Sequence, residues 1–326
     1  MRPIAEAYKD FPILHKEHNG HRVIYLDSGA TAQIPQSVID RVVEHMTQRN
    51  GNPHRGSHIL AIEASEDYEN ARDRVVEFIN AREREEVVFT RNSTESMNLI
   101  AHSYGLHNVK KGNKIVITVA EHHANLVTWQ YVAEQTGATL EYMYLDEHGH
   151  LKDGEINKID ENTKIVAFAH VSNVLGMEFP VKELTEKAHS VGAVVVLDGA
   201  QSTPHKKIDV QELDCDFFVF SGHKMCASQG IGVLYGKREL LEAMPPFLLG
   251  GDMIEYVKEQ TTTFNELPYK FEAGTPNADG AVSLHAAIDY LESFGMDAIE
   301  AYEEELVAYI PVSYTHLRAH ETRSNL

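Results

Sequence analysis

Short runs of consecutive apolar residues alternate along this chain with stretches that place apolar residues at helical spacing. The runs fall at residues 87–90, 115–119, 165–168 and 194–197. Because their polar and apolar positions do not alternate, these runs predict strands that are buried on both faces. Strands of this kind separated by helices predict an α/β fold, with a mainly parallel sheet covered by helices on both faces.

The pattern changes in the last part of the chain. From about residue 279 to residue 309 it becomes helical, with the apolar residues Leu284, Ala287, Ile288 and Leu291 at helix-face spacing. Residues 310–326 lack this periodicity. They predict a non-native or disordered tail.

Composition and charge exclude several classes of function. The chain has 326 residues, of which 43% are hydrophobic, enough for one large domain and a fragment. It carries 29 basic and 49 acidic residues, a net charge of -20, which disfavours binding to nucleic acid phosphates or anionic membranes. The chain has only two cysteines and no recognisable secretory leader, which predicts a cytoplasmic protein. It also has no apolar stretch of ~20 residues, so we expect no membrane span.

Candidate chemistry begins with Lys224, which ends a polar turn directly after a strand-like segment, residues 216–221. Ligand sites of parallel sheets lie at the carboxyl ends of the strands, where this lysine is expected. A desolvated lysine loses proton affinity and can condense with an aldehyde to form a Schiff base. Taken alone, the same pattern is also typical of a surface lysine.

A carboxylate, Asp198, follows the apolar run at residues 194–197. A buried aspartate in this position can keep the pyridine nitrogen of pyridoxal phosphate protonated by a charge-assisted hydrogen bond. Gln201, three residues later, could reach the phenolic oxygen of the same cofactor. The alternative for Asp198 is that it caps a helix. Together with Lys224, it indicates a pyridoxal phosphate site.

A phosphate site is predicted where the run at residues 87–90 leads into a turn and a helix start. Ser93 and Thr94 there would direct hydroxyls and backbone N–H groups at an anion. An ordinary capped helix N-terminus has the same pattern.

Two further strand ends carry candidate side chains. His123, after the strand that ends at residue 119, could stack on the cofactor ring and transfer protons, and Asn173 could contact substrate or cofactor. A metal site is not predicted, because the adjacent His122 and His123 would point to opposite faces of an extended segment.

Five motifs, in order and with matching spacing, resemble the signature series of SUF-type cysteine desulfurases. They lie at residues 121–123, 171–176, 198–201, 221–224 and 271–276. The resemblance covers roughly residues 11 to 309. It implies the class V aminotransferase version of the pyridoxal-phosphate-dependent transferase fold type I.

The resemblance also assigns roles around the cofactor ring. Lys224 would hold the cofactor, Asp198 would pair with the pyridine nitrogen, and Gln201 would bind the phenolic oxygen. His123 would stack on the ring.

Further roles follow for the phosphate and for the subunit interface. Thr94, Ser221 and His223 would hold the phosphate. A homodimer is implied, in which Thr275 reaches the phosphate of the neighbouring subunit. The loop at residues 52–56, with Arg55, would approach the substrate across the dimer.

Three departures from the family accompany the resemblance. Residues 227–230 replace the usual Gly-Pro-Thr-Gly turn. The small C-terminal domain, with its nucleophilic cysteine and carboxylate-binding arginine, has no counterpart, and residues 310–326 match nothing in the family, which suggests a truncated or misread gene end. Cys226 and Cys215 lack a cationic setting that would lower a thiol pKa.

The predicted domains are an N-terminal segment at residues 1–20, a large pyridoxal-phosphate-binding domain at 21–278, the start of a C-terminal domain at 279–309, and the tail. The implied reaction converts L-cysteine to L-alanine and passes sulfur as a persulfide to an acceptor protein of the SUF system for iron–sulfur cluster assembly. Turnover is expected to be impaired in this chain. The alternatives are a selenocysteine lyase, another class V aminotransferase-fold enzyme, or an inactive pyridoxal-phosphate-binding fragment.

Overall fold

The computed structural model describes residues 2–314, and it describes side chains for residues 2–309. The strands are β1 (Glu17–His18), β2 (His21–Arg22), β3 (Val87–Thr90), β4 (Lys114–Thr118), β5 (Thr139–Met143), β6 (Thr163–Ala169), β7 (Val194–Asp198), β8 (Phe217–Ser221), β9 (Gly232–Gly236), β10 (Ile254–Val257) and β11 (Thr262–Phe264). The helices are α1 (Gln36–Glu44), α2 (Ile59–Phe78), α3 (Ser93–Ile100), α4 (Leu106–Asn108), α5 (His123–Thr136), α6 (Val181–Ser190), α7 (Val210–Leu213), α8 (Arg238–Ala243), α9 (Ala278–Glu292) and α10 (Met296–Tyr314).

The central sheet has the strand order β3-β9-β8-β7-β6-β4-β5. Strands β8, β7, β6, β4 and β5 are parallel, and β9 is antiparallel to both of its neighbours. The prediction of a mainly parallel sheet is confirmed. Because β9 reverses the direction twice, β3 runs the same way as β8, so its carboxyl end lies at the same edge of the sheet.

The apolar runs of the strands divide their side chains between two core clusters. In β7, Val195 and Leu197 belong to one cluster and Val196 belongs to the other. Successive side chains of a strand point to opposite faces, so the two clusters lie on opposite faces of the sheet. Helices α1, α2, α6, α7, α9 and α10 contribute to the first cluster, and α3, α5 and α8 contribute to the second. Helices therefore cover both faces, as predicted.

The helical pattern predicted from residue 279 onwards forms two helices rather than one. Gly295, with φ of +89°, lies between α9 and α10, in a conformation that glycine adopts at little cost. The predicted helix face of α9 is buried in the first cluster. Helix α10 continues to Tyr314, so residues 310–314 of the predicted tail are helical, and residues 315–326 lie outside the described residues. The domain boundaries stay predictions.

A buried ion pair joins α2, β3 and the segment before α9. Arg72 has no exposed surface and donates to the two carboxylate oxygens of Glu272 at 2.7 and 2.9 Å. Glu272 also accepts from the Tyr68 hydroxyl at 2.8 Å and from the Phe89 backbone N–H at 2.7 Å. The pair therefore fixes the motif at residues 271–276 to the core.

We expect Glu272→Gln to lower the free energy of unfolding by about 3 kcal/mol, because it leaves a buried guanidinium with reduced compensation. Chemical denaturation measures this change. The matched control is Glu83→Gln, which removes an exposed pair with Arg238 and should leave stability almost unchanged. Equal effects of the two substitutions would contradict the structural role of Glu272.

None of the helices within residues 2–314 combines the length and the apolar character needed to cross a bilayer.

Candidate active site

A cavity of about 720 Å³ lies at the edge of the sheet where β6, β7 and β8 end. It brings together most of the side chains that the sequence predicts for the site. These are Ser93, Thr94, Asn173, Asp198, Gln201, Ser221, His223 and Lys224. They come from four separate parts of the chain, and the shared direction of the strands places them at one edge.

Lys224 closes a short 3₁₀ turn, Gly222–Lys224, that directly follows β8. Its side chain is half-buried and lines the cavity. Burial lowers the pKa of the Lys224 ammonium group from its ordinary value, and the negative charge of Asp198 opposes that shift. Lowering the pKa increases the fraction of unprotonated amine, which is the nucleophilic form.

Asp198 is the last residue of β7 and is 5% exposed. It accepts a hydrogen bond from the Ala200 backbone N–H at 2.9 Å. Burial raises the pKa of its carboxyl group, while Lys224 and His122 lower it. A Cβ at the next residue, Gly199, would lie 2.0 Å from the Phe218 ring, so the close packing of β7 on β8 requires glycine after this aspartate.

A group of hydroxyl side chains also lines the cavity. Ser221, the last residue of β8, bonds to the Ser93 hydroxyl at 2.7 Å and accepts from the Ser93 backbone N–H at 2.9 Å. Thr94 follows in the first turn of α3, and Asn92 caps that helix by accepting from Glu95 N–H at 3.0 Å. Hydroxyls beside a helix N-terminus suit an anion such as phosphate.

Of the adjacent His122 and His123, the side chain that lines the cavity is His122, which corrects the placement predicted for His123. His122 has extended backbone and caps α5, whereas His123 is the first helical residue. The backbone change sends the two adjacent side chains in different directions. Burial lowers the pKa of His122, Asp198 opposes that shift, and Lys224 adds to it. His122 therefore shares the electrostatic environment of the two central groups.

An N-terminal segment that the sequence reasoning missed also lines the cavity, at Gly29 and Ala30. The Gln201 amide donates to the Gly29 carbonyl at 2.9 Å, and Thr31 bonds to the His223 ring at 3.1 Å across 192 residues of sequence. The polar and glycine residues near Gly29 indicate a loop. Nothing in that composition shows where the loop packs.

Besides His123, two predicted residues, Thr275 and Arg55, do not line this cavity. Thr275 lines a neighbouring cavity of about 400 Å³, which shares Arg91 and Gly230 with the first. Arg55 is half-exposed and forms an ion pair with Asp252. Their approach to the site of a neighbouring subunit stays a prediction.

Both cysteines have thiol pKa values that burial raises. Burial raises the pKa of Cys226 to about 12, and it also raises the pKa of the fully buried Cys215. Cys226 lines a third, largely apolar cavity of about 250 Å³, which also touches Lys224. Neither cysteine is therefore a thiolate near neutral pH.

This arrangement can bind a carbonyl compound through the Lys224 amine, next to the buried Asp198 carboxylate. The hydroxyl groups of Ser93, Thr94 and Ser221 can bind an anionic group of the same compound. Within residues 2–314 there is no group of three or more His, Cys, Asp or Glu side chains that could hold a metal ion.

Comparisons with known proteins agree on a single family. A family model described as aminotransferase class-V matches residues 24–322. The probable cysteine desulfurase of Halalkalibacterium halodurans is 52% identical over 305 residues, which cover 93% of this chain and 75% of that protein. The cysteine desulfurase of Haloferax volcanii is 49% identical over 315 residues, covering 92% and 74%.

Solved structures give the same result. The apo structure of the cysteine desulfurase from Thermococcus onnurineus NA1 matches with a TM-score of 0.91 and 40% identity, covering 97% of this chain and 77% of that one. The Escherichia coli cysteine desulfurase CsdA matches with a TM-score of 0.88 and 38% identity, covering 97% and 78%.

Proposed function

The chain belongs to the class-V aminotransferase family, and from this premise we propose that it is a pyridoxal-phosphate-dependent cysteine desulfurase. The proposed reaction converts L-cysteine to L-alanine and transfers the sulfur as a persulfide. The observation that carries the proposal is the meeting of Lys224 and Asp198 in one cavity, at the ends of the neighbouring parallel strands β8 and β7.

The residues of the cavity fit pyridoxal phosphate by the chemistry of their donor and acceptor groups. A volume of about 720 Å³ suits a cofactor of this size. Asp198 offers a buried carboxylate to the pyridine nitrogen, and Lys224 offers a partly desolvated amine to the aldehyde. Ser93, Thr94, Ser221 and His223 supply donors for the phosphate.

When bound, pyridoxal phosphate supplies an electron sink for the negative charge that develops at the substrate Cα. The Lys224 Nζ would hold the cofactor, and once the substrate amine has displaced it, the free lysine amine would take the α-proton. The lowered pKa of Lys224 favours the unprotonated form that this step needs. Asp198 would accept a hydrogen bond from the ring nitrogen, and His122, rather than His123, would contact the ring. Asn173 and Gln201, which line the cavity wall, would orient substrate and cofactor.

The thiolate that accepts sulfur is proposed to come from a group other than Cys215 and Cys226, because both thiols are protonated near neutral pH. A sulfur-acceptor protein of the SUF system would then receive the persulfide. In the proposed homodimer, Thr275 and Arg55 act at the site of the neighbouring subunit.

The test is alanine formation from L-cysteine by protein loaded with pyridoxal phosphate, with and without a small added thiol. We expect slow formation that accelerates when the thiol supplies a nucleophile. L-selenocysteine, assayed in parallel, measures the rival lyase activity. Absence of alanine under both conditions would contradict a desulfurase, and rapid persulfide formation on Cys226 that is lost in Cys226→Ser would contradict the external thiolate.

A further inference from the structure

A buried carboxyl group, Glu121, lies in the turn between β4 and α5, directly before the cavity-lining His122. It is 8% exposed. One of its oxygens accepts from the Asn125 amide at 2.6 Å, and the other bonds to the Thr118 hydroxyl. The Asn125 amide oxygen in turn accepts from the Trp129 indole N–H at 2.7 Å. A chain of hydrogen bonds thus links the end of β4 to the first turns of α5.

This chain of hydrogen bonds encloses the turn that carries His122. Trp129 has no exposed surface and anchors one end in the core, while Thr118 ends a central strand and anchors the other. His122 is held locally, with its Nδ1 accepting from the Ala124 backbone N–H at 3.2 Å. The position of the His122 ring in the cavity is therefore set by the turn, and the carboxyl of Glu121 ties that turn to both anchors.

The charge state of Glu121 agrees with such a role. Burial raises the pKa of its carboxyl group to about 8, hydrogen bonds from Thr118 and Asn125 lower it, and the negative charge of Asp198 raises it further. The charged and titratable groups near this turn include His122 and His123 in the turn itself, and Arg91, His223 and Lys224 on the cavity wall. Near neutral pH Glu121 is mostly uncharged, so it does not compete with Asp198 for the positive charges of the site.

We propose that Glu121 is a positioning residue, whose carboxyl group holds the turn that presents His122 to the cofactor cavity through its bonds to Thr118 and Asn125. Its effect on the cofactor rests on the proposed function, since it assumes that the cavity binds pyridoxal phosphate. Its place in the hydrogen-bond chain does not depend on that assumption.

The first test uses the fluorescence of Trp129, the single tryptophan of the chain, in protein without cofactor. Titration from pH 6 to pH 10 should show a fluorescence step near pH 8 as Glu121 ionises next to the Asn125–Trp129 bond. Glu121→Gln should abolish the step. Glu86→Gln is the matched control, because Glu86 is also buried with a raised pKa, and Lys224→Ala excludes titration of the lysine. Both controls should retain the step.

Persistence of the step in Glu121→Gln would overturn the proposal. If that variant does not fold, Thr118→Val serves instead, because it removes the hydroxyl that lowers the pKa of Glu121 and keeps the side-chain shape. The step should then move to higher pH, and an unchanged step would overturn the proposal equally.

The second test is a double-mutant cycle on the affinity for pyridoxal phosphate. Glu121→Ala should weaken binding about tenfold in the wild-type background. In the His122→Ala background it should cause little further loss, because Glu121 acts through His122. Equal losses in both backgrounds would overturn the positioning role, and Thr118→Val can replace Glu121→Ala if the latter does not fold.

The two tests also distinguish a failure of this proposal from a failure of the proposed function. If the wild-type protein does not bind pyridoxal phosphate, the proposed function and the effect of Glu121 on the cofactor are both overturned, while the fluorescence step near pH 8 remains.

Discussion

Lys224→Ala is expected to abolish the visible absorption of the bound cofactor and to reduce alanine formation from L-cysteine by several orders of magnitude. The substitution removes both the amine that holds pyridoxal phosphate and the base that takes the α-proton. Losing a covalent attachment removes a reaction channel rather than one stabilising contact, so the loss exceeds that of a single hydrogen bond. Absorption spectra of the loaded protein and a direct alanine assay measure the two effects.

The matched control for this prediction is Lys270→Ala. Lys270 is also a partly buried lysine whose pKa is lowered by burial, but it donates to the backbone carbonyls of Leu241 and Glu242 and does not line the cavity. Its removal should leave the absorption unchanged. Borohydride reduction followed by peptide mapping identifies the modified lysine directly, and attachment at any residue other than Lys224 would refute the assignment.

The strands could be predicted because burial on both faces leaves a strong pattern in the sequence. The run at residues 87–90 matches β3 (Val87–Thr90), and the other three runs match β4, β6 and β7 to within two residues at each end. The order of the strands could not be predicted in the same way. The antiparallel strand β9 lies between β3 and β8, and that placement depends on packing between distant parts of the chain.

The site residues that end strands could be predicted for the same reason. Asp198 and Ser221 each follow an apolar run, and the parallel sheet brings their strand ends together. His122 and His123 could not be distinguished, because the choice depends on the residue at which α5 begins, and helix boundaries are weakly specified by sequence. Gly29 lines the cavity through a contact with a distant part of the chain that no local pattern records.

The break between α9 and α10 shows a related limit. The apolar spacing of Leu284, Ala287, Ile288 and Leu291 predicts helix and the buried face, and both are confirmed. Gly295 interrupts the pattern, but an isolated glycine is tolerated inside helices as well as at their ends. The local sequence therefore does not show that Gly295 takes the positive φ that separates α9 from α10.

Asp198→Asn is expected to slow exchange of the substrate α-proton by about a hundredfold to a thousandfold, and to change the affinity for pyridoxal phosphate much less. An amide keeps the size of the side chain but not its negative charge, so it no longer favours a protonated ring nitrogen. The phosphate contacts offered by Thr94, Ser221 and His223 are untouched, which separates binding from chemistry.

Exchange of the Cα proton with solvent deuterium, followed by nuclear magnetic resonance, measures the chemical step without requiring sulfur transfer. The matched control is Asp216→Asn. Asp216 is also buried, but it lies just before β8, does not line the cavity, and pairs with His189 and Lys237. It should leave α-proton exchange nearly unchanged even if stability falls. Exchange at the wild-type rate in Asp198→Asn would show that the carboxylate does not support the electron sink, and the pairing of Asp198 with the ring nitrogen would have to be abandoned.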